Sequence, residues 1–176
     1  MTLPSKYRFL LDEPGPRILT EGLRLYGTRE VAGSGSNPTI LQWARELDIP
    51  YNADAIPWCG LYMAIVAHRA GWPTTSQPLW ARSWATWQTR AERPSLGDIL
   101  IFSRGPAHGH VGIYVGESAT AFHVLGGNQG DTVSIVPIAR SRLLAARRPT
   151  WRISEPENRR PITITGRTSR LSTNEA

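Results

Sequence analysis

The chain has 176 residues, a single cysteine and a formal net charge of +6. This length accommodates one domain with a sizeable core, and one cysteine excludes both an internal disulfide framework and a zinc site built on cysteines. The basic excess lies in residues 140–176, which hold nine arginines and three acidic residues, whereas residues 1–139 are balanced. Because the larger part is neutral and lacks a nucleic-acid-binding motif, we expect no nucleic-acid partner.

Residues 1–14 are predicted to form an N-terminal arm. They contain one short apolar patch, residues 9–11, which Asp12 and Glu13 interrupt. The patch is too short for the core of a signal peptide, and no stretch approaches the ~18 apolar residues of a membrane span. We therefore expect a protein that is made in the cytoplasm without a signal peptide or transmembrane segment.

Helices are predicted in the first half of the chain. Apolar residues at helical spacing indicate a helix at residues 19–26. Asn37 is a good N-cap and Pro38 a good first residue for a second helix, which runs to about residue 48. A third helix begins near Pro57, and a short fourth helix is expected at residues 80–88.

Strands are predicted from residue 97 onward, where short apolar runs alternate with turn residues. The runs are residues 97–102, 110–116, 120–125, 132–137 and 142–148. Helices followed by closely spaced strands predict an α+β domain with a largely antiparallel sheet of about five strands. We assign residues 15–150 to this domain and residues 151–176 to a basic polar tail that is extended or ordered by a partner.

Cys59 is placed by this pattern in the first turn of the third helix. Unpaired N–H groups and the helix dipole stabilise an anion there, which favours a nucleophilic thiolate. A buried, inert thiol is the alternative interpretation. His110 stands at the head of an apolar strand after a glycine-rich loop, in the segment GHVGIY. It is the candidate general base for the thiol.

A third polar residue is expected to orient the imidazole of His110. Asn128 in GGNQGD and His123 on the following strand are both candidates, and Asp131 is a weaker one. The register of the strands, which one sequence does not determine, decides between them. The GGNQGD segment is also consistent with a plain turn.

Five segments carry a family resemblance through their order and spacing: DAIPWCGLYMAIVAHRAG, ARSWATW, PSLGDILIFSRG, GHVGIYVGE and VLGGNQGDTVSIVPI. With them the chain resembles the CHAP-type cysteine, histidine-dependent amidohydrolases and peptidases of bacteriophage endolysins and tail-associated lysins. These enzymes are part of the NlpC-type, papain-like superfamily. The resemblance covers about residues 15–149 and implies a papain-like fold, with the nucleophile at a helix N-terminus.

The resemblance implies roles for individual residues. Cys59 matches the nucleophile, His110 the general base and Asn128 the third catalytic residue, whereas NlpC-type enzymes use a second histidine, for which His123 is the candidate. The implied substrate-binding residues are Asp54, Trp58 and Trp84. Gly60 departs from the pattern, because alanine or serine is expected after the cysteine, and it is expected to loosen the first helical turn.

The implied substrate is bacterial peptidoglycan, cleaved at an amide bond without a metal or another cofactor. The bond is either the muramoyl–L-alanine bond or a bond in the stem peptide. Release through a holin, a place in a virion tail or a secretion machine would bring the enzyme to the cell wall. The basic tail would then dock on phage tail or other delivery-machine proteins.

Two other functions compete with this one. A metal-dependent hydrolase would use His108, His110, His123 and Cys59, since alternate residues of a strand point to the same face. A non-catalytic structural tail module would keep the fold without the activity.

Overall fold

The helices of the first half form where the sequence predicts them. In the computed structural model, which describes residues 2–33, 35–151, 154–165 and 170–174, the α-helices are α1 (Arg17–Arg24), α2 (Pro38–Glu46) and α3 (Cys59–Arg69). The side chain of Asn37 caps α2 by accepting a hydrogen bond from the N–H of Thr39 at 2.8 Å. Among the described residues, no helix is long and apolar enough to cross a membrane.

Three short 3₁₀ helices accompany them, at Ser5–Leu11, Ala81–Thr86 and Arg140–Arg142. The second lies where the sequence predicts a short helix. The first lies within the predicted N-terminal arm and buries Tyr7 and Leu10 in the main hydrophobic core.

The second half of the chain forms one antiparallel sheet of six strands. The strands are β1 (Thr89–Arg90), β2 (Ile99–Arg104), β3 (His108–Glu117), β4 (Ala121–Gly126), β5 (Ser134–Ala139) and β6 (Leu143–Arg148). Their order is β1-β6-β2-β3-β4-β5, and every neighbouring pair is antiparallel. The predicted α+β fold class is therefore confirmed. The additional strand, β1, has two residues, which is too short to give an alternating pattern.

The two faces of the sheet contact different clusters. Val111, Ile113 and Val115 of β3 pack into the main core with the helices. Tyr114 belongs to a smaller cluster with residues of the neighbouring strands, which include Phe102 and Phe122. This separation follows from the alternation of side chains along a strand, and it fixes α3 against β3 and β4.

The C-terminal segment packs on the domain through buried charges. Asp98 is fully buried, and Arg159 and Arg148 lie 2.6 and 2.9 Å from its two carboxylate oxygens. Arg160 forms an ion pair with Glu13 at 2.8 Å, so the segment is also connected to the N-terminal residues. The division into an arm, a domain and a tail stays a prediction, and residues 152–153, 166–169 and 175–176 of the tail lie outside the described residues.

Candidate functional site

Cys59 is the first residue of α3, as predicted, with Trp58 as the N-cap residue. The N-terminal part of β3 extends beyond β4, because the first paired residues of the two strands are Ile113 and Leu125. The overhanging part of β3 faces the start of α3, and the N–H of Val111 forms a hydrogen bond with the Cys59 thiol. Val111 directly follows His110 in the chain, so the backbone of β3 next to the predicted base lies at the predicted nucleophile.

The environment of the thiol has opposing electrostatic effects. Burial raises the pKa of Cys59, whereas hydrogen bonds from the N–H groups of Val111 and Gly60 and the positive charge of Arg104 lower it, and the effect of burial is the larger one. The resting thiol is therefore biased toward its neutral form. Forming the thiolate requires a base that takes the proton within the site.

His110 is fully buried and lies against a side-chain amide. Its Nε2 is 2.9 Å from Oε1 of Gln129. The amide nitrogen of Gln129 donates to the backbone carbonyls of Val124, at 3.2 Å, and Ser134, at 2.6 Å. Because carbonyls only accept hydrogen bonds, this fixes which end of the amide faces the ring. Nε2 of His110 must then carry the proton, and Nδ1 is the nitrogen that can act as a base.

The two glycines of GGNQGD allow this arrangement. A Cβ atom on Gly126 would lie 2.8 Å from Oε1 of Gln129 and 3.0 Å from Nε2 of His110. A Cβ atom on Gly127 would lie 2.5 Å from the side chain of Tyr62 in α3. The segment thus brings its backbone against both the imidazole and the nucleophile helix. It is a packed part of the site and not only a turn.

The side chain that forms a hydrogen bond with Nε2 of His110 is that of Gln129, the neighbour of the predicted Asn128. Asn128 is buried with a φ of +57°, and its Oδ1 has no hydrogen-bond partner among the described residues. The other candidate, His123, lies elsewhere, with its Nδ1 2.6 Å from the hydroxyl of Tyr7. A catalytic role for Asn128 or His123 stays a prediction. Gln129, one position beyond Asn128, forms the hydrogen bond with Nε2 of His110.

His123 is expected to make folding stability depend on pH. Burial, with a smaller contribution from the charge of Lys6, lowers its pKa from 6.5 to about 4. Below about pH 6.5 the unfolded chain therefore binds a proton that the folded protein accepts only near pH 4. The contribution of His123 to the free energy of unfolding is fully present at neutral pH. It falls by on the order of 3 kcal/mol as the pH decreases from about 6.5 to about 4.

Urea unfolding between pH 7 and pH 4 measures this effect, with His123→Asn as the control. Asparagine keeps an acceptor near the position of Nδ1 and does not titrate. The free energy of unfolding of the wild type should fall more steeply with decreasing pH than that of the variant. Equal slopes would contradict the buried, neutral state of His123.

The predicted substrate-binding residues are all buried. The Asp54 carboxylate accepts hydrogen bonds from the N–H groups of Val31 and Asn37, at 3.0 and 2.7 Å, and so holds the loop before α2. Trp58 and Trp84 are fully buried. In this conformation the three side chains are structural supports, and their role in substrate binding stays a prediction.

Gly60 has a steric role that the sequence does not reveal. A Cβ atom there would lie 2.4 Å from the carbonyl oxygen of Pro78 and 2.5 Å from that of Leu79. The turn before the second 3₁₀ helix thus lies directly on the start of α3. The expectation that glycine merely loosens this turn of the helix is corrected: the close approach requires it.

The histidines of the metal alternative do not converge. His108 is exposed on the hairpin between β2 and β3, whereas His123 is buried beside Tyr7. In the part of the chain that the structure describes, no three His, Cys, Asp or Glu side chains are grouped so that they could hold a metal ion.

Comparisons with known proteins agree with the segment that carries these residues. The family model of the CHAP domain matches residues 51–128, which include Cys59 and His110 and end one residue before Gln129. A solved structure from Staphylococcus aureus subsp. aureus Mu50, described as similar to a lipoprotein of the NLP/P60 family, is 23% identical with a TM-score of 0.44. The similarity covers 75% of this chain but only 40% of that one. No curated protein sequence matches the chain.

Proposed function

We propose that the chain hydrolyses an amide bond of bacterial peptidoglycan, because residues 51–128 match the family model of the CHAP domain, whose members are peptidoglycan amidases and peptidases. The observation that carries the proposal is the pairing of His110 with Gln129 on the strand whose next residue, Val111, contacts the thiol at the start of α3 through its N–H group. The Gln129 amide fixes the tautomer of this buried imidazole. It serves a base that must receive a proton on a defined nitrogen.

The reaction begins with transfer of the thiol proton from Cys59 to Nδ1 of His110. The thiolate attacks the carbonyl carbon of the scissile amide, and N–H groups at the start of α3 stabilise the oxyanion that forms. The imidazolium then protonates the departing amine, and the C–N bond breaks to leave a thioester on Cys59. Water, deprotonated by His110, attacks the thioester, which releases the carboxylic acid and restores the thiol.

The proposed setting is phage lysis or penetration of the bacterial cell wall. Docking of the enzyme on a delivery partner through the basic tail belongs to this proposal. Several arginines of residues 140–176 form ion pairs within the chain, so fewer of them are available to bind such a partner. Arg148 and Arg159 bind Asp98, and Arg160 binds Glu13.

Digestion of purified sacculi with the full chain tests the function. Mass spectrometry of the products should show a new amine and a new carboxylic acid at one amide bond: a new N-terminal alanine for an amidase, or a divided stem peptide for an endopeptidase. Cys59→Ala should abolish product formation, because no other described thiol replaces it. Activity that survives this change would exclude the thiol mechanism, and an inactive wild type would favour a structural module.

A further inference from the structure

One short segment contacts the neighbours of both catalytic candidates. The carbonyl of Leu79 lies against Gly60, next to Cys59. Ala81 and the stem of Arg82 lie against Gly109, next to His110, at 3.6 and 2.9 Å from the position of a Cβ atom there. Trp80 lies between these two contacts. Its position is therefore beside the place where the scissile amide must bind.

Trp80 differs from the other tryptophans near the site in its exposure. Its side chain is 52% exposed, whereas Trp58 and Trp84 are fully buried. Among the described residues, it is the only phenylalanine, tyrosine or tryptophan side chain that is exposed rather than buried or half-buried. A single exposed apolar residue is ordinary on a protein surface. An exposed indole beside a buried thiol and its base is not explained by packing.

The turn that presents Trp80 is rigid. The indole N–H of Trp84 donates to the backbone carbonyl of Pro78 at 3.1 Å. The hydroxyl of Ser83 donates to the backbone carbonyl of Gln77 at 2.7 Å. Arg82 donates to the carbonyls of His108 and Gly105, at 3.0 and 2.7 Å, which fixes the following 3₁₀ helix on the β2–β3 hairpin. Such a surface can bind a ligand without first being ordered.

The chemistry of peptidoglycan limits what an indole can bind in this place. Its stem peptides consist of small, acidic and diamino residues, which offer no large apolar side chain. The flat C–H faces of the sugar rings are the surfaces that match an aromatic ring. In muramic acid, only a short lactyl ether separates the ring from the carbonyl that joins the peptide.

From this geometry we propose that Trp80 is a substrate-binding residue that stacks on the muramic acid ring. The scissile bond is then the muramoyl–L-alanine amide. This inference rests on the proposed function and specifies its substrate. A bond within the stem peptide would place only small or charged groups against Trp80.

Two synthetic substrates isolate the contribution of the ring. The first is N-acetylmuramoyl-L-alanyl-D-isoglutamine, and the second is D-lactoyl-L-alanyl-D-isoglutamine, which has the same amide and lacks the sugar. The wild type should favour the first by about 10- to 100-fold in kcat/KM, the range for loss of one well-packed group. Trp80→Ala should remove most of this preference, and Trp80→Phe should keep part of it.

The controls separate this inference from the proposed function. Leu144→Ala, which changes another half-exposed apolar residue on β6, should leave the preference unchanged. An unchanged preference in Trp80→Ala, or an equal loss on both substrates, would overturn the role of Trp80. Cleavage of sacculi only within the stem peptide would overturn the proposed bond while amide hydrolysis stands. No hydrolysis of sacculi by the wild type would overturn both.

Discussion

Replacing Gln129 by leucine is expected to lower kcat/KM by about 100-fold, the lower end of what general acid–base catalysis contributes, because this hydrogen bond fixes the tautomer of the proposed base. Leucine has a similar volume but removes the acceptor that holds Nε2 of His110 at 2.9 Å. The imidazole can then adopt the other tautomer or turn away from the thiol. The loss should fall mainly on kcat, since Gln129 does not reach the substrate.

Asn128→Gly is the matched control for this change. Glycine tolerates the φ of +57° at this position and removes only the side chain. If Gln129 orients His110, the glycine variant retains more activity than Gln129→Leu. The reverse order, measured at equal folded fraction by circular dichroism, would restore Asn128 as the orienting residue. Comparing the two variants thus tests whether position 128 or position 129 supplies the side chain that orients His110.

Replacing Gly60 by alanine is expected to destabilise the protein by about 2–3 kcal/mol, although the change raises helix propensity. Propensity alone would stabilise an exposed helix by about 1 kcal/mol. Here the added methyl group would lie 2.4 Å from the carbonyl oxygen of Pro78, and the bond from Trp84 to that carbonyl prevents an easy shift. The steric cost exceeds the gain, because overpacking a fixed contact usually costs this much.

Thermal or urea unfolding measures the effect, and His68→Ala is the control for propensity. His68 is exposed near the end of the same helix, so its replacement should change stability by a few tenths of a kcal/mol. A stable Gly60→Ala variant with full activity would show that the turn moves freely. We expect instead that any folded fraction loses activity, since the turn also positions the start of α3 and Trp80.

The fold was predictable because its signals are local. The Asn37–Pro38 pair starts α2, and the apolar runs of the second half correspond to the strands β2 to β6. The position of Cys59 in the first turn of α3 followed from Pro57. Such features depend on a few neighbouring residues, so one sequence suffices to place them.

The choice of the side chain that faces His110 depended on long-range geometry instead. Asn128 and Gln129 carry the same chemical group, and the backbone turn at Asn128 decides which of them faces His110. The environment of Trp58 and Trp80 could not be predicted for the same reason. Both follow apolar or proline-rich residues, yet Trp58 donates to Glu30 within the protein and Trp80 lies on the surface. The glycines at 60, 126 and 127 were the available signal, because each marks a close backbone approach.

The buried carboxylate of Asp98 has a consequence for the modularity of this protein. Its partner Arg159 lies 31 residues beyond the last residue of the CHAP match. A fragment cut at the family boundary, after residue 128, would lose both Arg148 and Arg159, and an uncompensated buried charge costs about 3–5 kcal/mol. The unit that can be exchanged between proteins, by recombination or by fusion to another domain, is therefore longer than the segment that the CHAP family model matches. It must include Arg159, and also Glu13 at the other end of the chain, which Arg160 binds.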